Sequence, residues 1–331
     1  VGSEMCIRDR DYLVISHMEP DHSGSILRLA EKYQEMKLVG NTKTFTMLRQ
    51  FFGAKAPTDD RLLEVGEGET LPLGAHTLHF MLAPMVHWPE VMVAYEETEK
   101  LLFSADAFGR FGALSRTAGA PWAPQARRYY YNIVGKYGAQ VQALLKKAAA
   151  LEIETICPLH GPVLTGEALG EALRLYDLWS RWQSESPDDI LLAHASIHGN
   201  TARAAELFKQ KLEAKGARVT LCDLTTTEVS YAVANAFYCG KLVLACSTYD
   251  GGLFPPMEEF LSHLQAKGFR DRSVGLMENG SWAPAAARLM RAKLEEMKDL
   301  RVCGTVVSLR SALSPASEAQ IDALTTELCA K

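Results

Sequence analysis

The chain has 331 residues, 47% of them hydrophobic and 23% charged, with a formal net charge of −5. These values suit a globular protein of about two domains, taken at roughly 150 residues each. No Lys/Arg-rich run points to nucleic acid or an anionic membrane surface, and no apolar stretch nears the ~20 residues of a membrane helix.

The opening segment VGSEMCIRDR, residues 1–10, reads as non-native, and no signal peptide is visible. From Asp11 the pattern is that of a domain already under way, so the first domain is expected to be incomplete at its N-terminus. Its expected span is residues 11–183. Tyr12–Ser16 is predicted as a strand and Ser25–Tyr33 as a helix. Strands follow at Leu78–Leu82, Val91–Tyr95 and Leu101–Ser104, then a helix at Gln140–Leu151 and a strand at Thr155–Cys157. Mixed strands of this kind predict an α/β sandwich.

The polar stretch Arg181–Asp189 (RWQSESPDD) is the expected linker, and a second domain is expected over residues 188–331. There the signals alternate regularly. Strands are predicted at Ile190–Ser196, Arg218–Leu224, Leu242–Ser247, Ser273–Met277 and Val302–Leu309. Helices are predicted at Thr201–Lys215, Thr226–Tyr238, Pro256–Lys267, Pro284–Lys298 and Glu318–Cys329. Five β–α alternations specify a doubly wound, five-stranded parallel sheet, whose ligands lie outside the carboxyl ends of the strands.

The cysteines are Cys6, Cys157, Cys222, Cys239, Cys246, Cys303 and Cys329, with no C-x-x-C among them. An odd count without that spacing argues against a disulfide framework, a zinc ribbon or a rubredoxin-type iron site. It favours reduced thiols in a cytoplasmic protein.

The sharpest local signal is His17-Met18-Glu19-Pro20-Asp21-His22, four potential ligands within six residues, directly after an apolar strand. His87 (PMVHWPE), Asp106 (LLFSADAFG) and His160 (ICPLHGP) are further candidates. Imidazoles mixed with carboxylates suit iron, manganese or zinc. His76 and His79 alternate on a predicted strand and are read as structural, as are His194 and His263.

Three loops after strands of the second half form another constellation. Ser196-Ile197-His198-Gly199-Asn200-Thr201 offers hydroxyls, an amide and a glycine at a helix N-terminus, which suits a phosphate. Ser247-Thr248-Tyr249-Asp250-Gly251-Gly252, and then Asn279-Gly280-Ser281-Trp282, place aromatic residues beside flexible backbone, which suits an isoalloxazine ring. The bland alternative is that Tyr249 and Trp282 cap the core.

The order His-x-(His/Glu)-x-Asp-His, then His, Asp and His, resembles the metallo-β-lactamase superfamily. Glu19, with AFGRFGAL after the aspartate and ICPLHGP around the last histidine, resembles its flavodiiron branch. The resemblance covers nearly all of residues 11–331. It implies a metallo-β-lactamase-like αβ/βα sandwich followed by a flavodoxin-like domain. It further implies FMN in the three loops and two iron ions in the first half. One iron would take His17, Glu19 and His87, the other Asp21, His22 and His160, and Asp106 would bridge them. The implied activity is reduction of O2 to water or NO to nitrous oxide. The implied partners are a rubredoxin-like or other external donor and a second copy in a head-to-tail homodimer. The alternatives are a dizinc hydrolase with an accessory flavodoxin domain, which Glu19 argues against, and an FMN electron carrier with an inert metal domain.

Overall fold

The computed structural model describes residues 9–117 and 119–330. Of the expected non-native segment, residues 1–8 lie outside the described residues. Contacts divide the chain into two compact units, one running to Ser180 and the other from Arg181.

The first unit contains two sheets. β1 (Tyr12–Val14), β2 (Lys37–Gly40) and β3 (Leu62–Glu64) pair in parallel in that order. The second sheet has the order β4 (Thr70–Leu73), β5 (His76–Leu82), β6 (Met92–Glu96), β7 (Leu101–Phe103), β8 (Thr155–Cys157), β9 (Leu164–Thr165). Its pairs are antiparallel except β7 with β8.

Alternation along β2 shows how the layers form. Val39 turns towards Leu71, Phe80 and Met92 of the other sheet. Its neighbour Leu38 turns the opposite way, onto Ile26, Phe45 and Leu48 of the helices Ile26–Lys32 and Thr42–Phe52. The helix Gly166–Ser180 runs back against β8 and β9. The unit is therefore an αβ/βα sandwich, as expected.

Several elements were not anticipated: β2, β3, β4 and the helices Thr42–Phe52, Trp122–Ile133 and Gly166–Ser180. The short strands carry weak periodicity. β4 contains Pro72, which a sheet tolerates at its edge, and β4 is an edge strand.

In the second unit, β10 (Ser186–Ala195), β11 (Val219–Asp223), β12 (Cys239–Tyr249), β14 (Ser273–Asn279) and β15 (Arg301–Leu309) form a parallel sheet in the order β11-β10-β12-β14-β15. A short β13 (Gly252–Leu253) folds back antiparallel on the end of β12. Leu242–Cys246 at the centre of β12 are all buried, as a strand covered on both faces must be. One face packs Leu192 and Val243 against Phe208, Ile321 and Leu324. Two boundaries shift from expectation. Ser186–Asp189, read as part of the linker, already belong to β10, where Ser186 pairs with Cys239. The second helix begins at Val229 rather than Thr226, because the Glu228 side chain accepts the Ser230 N–H at its N-cap.

Candidate functional sites

Three strand ends and a short helix deliver the ligand candidates of the first unit. His17 follows β1. Glu19 is the N-cap of the helix Pro20–Ser23, which carries Asp21 and His22. His87 lies between β5 and β6, Asp106 follows β7, and His160 follows β8. Ala105 and Phe108 flank Asp106 at φ +52° and +66°, a conformation that costs non-glycine residues energy and tends to persist where function needs it.

The seven candidates fall into two groups whose ligand atoms lie within 4.8 Å of one another: His17, Glu19, His87 and Asp106; and Asp21, His22 and His160. Asp106 reaches both. Its Oδ2 lies 3.0 Å from His87 Nε2 and 3.9 Å from His17 Nε2. Its Oδ1 lies 3.1 Å from His22 Nε2 and 3.9 Å from His160 Nε2. Glu19 Oε2 sits 3.1 Å from His87 Nε2, and Asp21 Oδ2 sits 3.2 Å from His160 Nε2. Asp106 Oδ1 and His22 Nε2 are both buried and lie 3.1 Å apart, with no other hydrogen-bond partner among the described residues. Nitrogen and oxygen atoms converging in this way could ligate a shared cation. The donor set therefore fits a metal pair.

The cluster's electrostatics keep Asp106 ionised. Burial alone would raise the Asp106 pKa, but hydrogen bonding to His22 and His87 and the charges of His17 and His160 hold it well below the usual carboxylate range. Burial would lower the His17 pKa, but the Glu90 hydrogen bond and the Asp106 and Glu90 charges leave it raised.

Supporting residues escaped the sequence reading. Tyr129 donates to Asp106 Oδ2 at 2.9 Å, and burial followed by the Asp106 charge pushes its phenol far up. The Phe108 N–H donates to Tyr176 Oη at 2.6 Å, and Trp122 Nε1 donates to the Phe108 carbonyl at 3.3 Å. These aromatics pin the irregular loop that carries Asp106. Their signal was present: Trp122, Ala126, Tyr129 and Tyr130 recur at helical spacing and are all buried. His76 and His79 hydrogen-bond to Glu96 and Glu97, and His194 is buried, consistent with structural roles.

In the second unit a cavity of about 480 Å³ opens at the carboxyl ends of β10, β12 and β14, within the range of small-ligand sites. It is lined by Ser196, Ile197, His198, Asn200 and Thr201; Ser247, Thr248, Asp250 and Gly251; and Asn279, Gly280, Ser281 and Trp282. Three of the expected residues do not line it: Gly199, Tyr249 and Gly252. Gly199 instead takes φ +87° to start the helix Asn200–Ala214, whose N-terminus has no side-chain cap. The free N–H groups there suit a phosphate. Tyr249 is 50% exposed and Trp282 87% exposed, so neither caps the core.

A fourth loop was missed. Ser311 also lines the cavity, and two hydrogen bonds tie it to Asn279: its N–H to Oδ1 at 3.1 Å and its carbonyl from Nδ2 at 2.9 Å. Asn279 Nδ2 also reaches Thr201 Oγ1 at 3.2 Å, and that hydroxyl pairs with Ser247 Oγ at 2.8 Å. One polar chain thus links the four loops. Nothing local in the sequence marks Ser311, because the tie spans 32 residues. Among the described residues no helix is long and apolar enough to cross a membrane, and the six described cysteines are free.

Residues 1–161 match the model of the ODP family beta lactamase. The chain is 25% identical to the rubredoxin-oxygen oxidoreductase of Megalodesulfovibrio gigas over 87% of its own length and 72% of that protein's. It is 25% identical, with the same two coverages, to a nitric oxide reductase of Moorella thermoacetica. Against four other curated relatives at 24–29% identity it spans only 38–65% of their length. The solved rubredoxin oxygen:oxidoreductase of Desulfovibrio gigas superposes with a TM-score of 0.87 at 24% identity, covering 96% of this chain and 80% of that one. That likeness shows the fold: a metallo-β-lactamase-like sandwich followed by a flavodoxin-like sheet.

Proposed function

We propose that the chain is a member of the flavodiiron family, an oxidoreductase that reduces O2, NO or both with electrons relayed through FMN to a diiron site. The observation that carries this reading is the position of Asp106, whose two oxygens each face a different set of ligands. In this reading His17, Glu19 and His87 would hold one iron, Asp21, His22 and His160 would hold the other, and Asp106 would be shared between them. The irons would supply binding and reduction of the diatomic substrate.

The site's own residues have distinct tasks in that reaction. Three carboxylates offset much of the charge of two cations and favour a hard, oxidisable pair over soft-ligand metals. Tyr129 holds the bridging carboxylate, leaving its other oxygen for the second ion. Access is one-sided. The His17 side chain is fully buried, whereas Glu19, Asp21 and His160 are 35%, 48% and 33% exposed. Substrate therefore enters past Glu19, Asp21 and His160. In the second unit, Ser196, His198, Asn200 and Thr201 would take the FMN phosphate at the uncapped helix end, and the loops after β12 and β14 would take the ring.

The family likeness also supports a rubredoxin-like or other small external donor, a head-to-tail homodimer that brings flavin and irons of different copies together, and a cytoplasmic setting. The test is anaerobic reconstitution with iron and FMN, followed by NO and O2 consumption under a chemical reductant. Turnover with both cofactors bound supports the reading. Two zincs with esterase activity, or FMN without iron, contradict it. A monomeric variant should bind both cofactors and turn over poorly.

A further inference from the structure

Glu90 is a buried carboxylate that the ligand assignment does not use. Its Oε1 lies 2.7 Å from His17 Nδ1 and accepts the Met18 N–H at 2.9 Å. Both side chains of the His17–Glu90 pair are fully buried. An ionised carboxylate can only accept, so the proton of the neutral His17 ring sits on Nδ1 and the lone pair on Nε2. That Nε2 is the atom 3.3 Å from Glu19 Oε2 and 3.9 Å from Asp106 Oδ2.

The backbone at Glu90 is itself anchored. Asn41 Nδ2 donates to the Glu90 carbonyl at 2.6 Å, while Asn41 Oδ1 accepts from Lys43 N and Thr44 N and so caps the helix Thr42–Phe52. Glu90 Oε2 is buried with no hydrogen-bond partner among the described residues. A desolvated carboxylate is costly to keep, which argues that its charge serves the imidazole beside it. Among the described residues, no hydrogen bond joins Glu90 to Asp21, His22 or His160.

We propose that Glu90 is a positioning residue for one metal ion only: it fixes the ring and tautomer of His17 for the site of His17, Glu19 and His87. The site of Asp21, His22 and His160 does not depend on it. This rests on the dimetal reading above. The general precedent is that an outer carboxylate on a ligating imidazole orients it and raises its basicity, at a typical cost of ~10–100-fold in metal affinity when lost.

The test uses the full chain, stripped of metal and titrated anaerobically with Fe(II), then separately with Co(II), against a chelator of known affinity. Elemental analysis gives the stoichiometry. Wild type is expected to bind two ions. In Glu90→Ala one ion should weaken by ~10–100-fold while the other keeps wild-type affinity. In Glu90→Gln, whose amide oxygen can still accept from both Nδ1 and Met18 N, the weakening should be partial, on the order of tenfold. That graded rescue at a single site is what a merely structural role would not produce. If the alanine variant does not fold, the glutamine variant carries the test through its selective weakening. Equal loss at both sites, or wild-type affinity at both in either variant, overturns the proposal. A wild-type chain that binds fewer than two ions overturns the dimetal reading as well, which distinguishes the two failures.

Discussion

The two units place polar groups by opposite means. In the second, regular structure does the work: parallel strands end at one level, and the residues just beyond them line the cavity. In the first, the site is built where regular structure stops. Asp106 sits in a loop with two positive-φ residues, and Glu19, Asp21 and His22 are set by a helix of four residues. Such a site needs outside support, here from Tyr129, Tyr176, Trp122 and Glu90. The lesson is that the metal site should fail abruptly when a shared element is lost, while the flavin site should weaken in steps.

The largest effect that could break this comparison is at Asp106. Asp106→Ala should reduce bound iron from two ions to at most one loosely held ion, and activity by more than the ~100-fold upper cost of losing an outer partner. FMN content should be unchanged. Retention of two tightly bound irons, by elemental analysis, would mean the site is not shared. The matching change in the other unit is Asn279→Leu. It removes bonds to Ser311 and Thr201 and should weaken FMN binding by ~10–100-fold, the equivalent of ~1–3 kcal/mol for stranded buried polar groups. Flavin fluorescence titration measures it. Complete loss of binding would show that the second site is as brittle as the first.

The same contrast explains what the sequence made legible. The His17–His22 cluster could be read because its members lie within six residues and follow an apolar strand. The flavin loops could be read because each follows a strand in a regular β–α alternation. Glu90, Tyr129 and Ser311 could not, because they reach their partners across 73, 23 and 32 residues. Only the fold closes those distances. β2 to β4 were missed because strands of three or four residues, one holding Pro72, show too little alternation to stand out.

Two smaller changes sharpen the comparison within the first unit. Tyr129→Phe removes a hydrogen bond to a charged, buried carboxylate and should cost about 2 kcal/mol in denaturant unfolding of the metal-free protein. No loss there would mean that the Tyr129 hydroxyl does not hold Asp106 in place. Glu96, on the sheet away from the metal site, should matter least. Burial would raise its pKa, but bonds from the Glu99 and Thr98 N–H groups and His76 lower it from 4.5 to about 2. A carboxyl depressed in the folded state adds stability above its unfolded value and loses it as pH falls through the folded one. The melting-temperature gap between wild type and Glu96→Gln should therefore be present at pH 7 and close between pH 4.5 and about 2. A gap independent of pH would rule out the charge as its cause.

The claim on which all of this depends is that one aspartate joins two metal ions. Mössbauer spectroscopy of the chain loaded anaerobically with 57Fe and then oxidised tests it most directly. The account predicts a magnetically coupled iron pair in wild type that is absent from Asp106→Ala. Two uncoupled irons in wild type, or a coupled pair that survives in the variant, would contradict it.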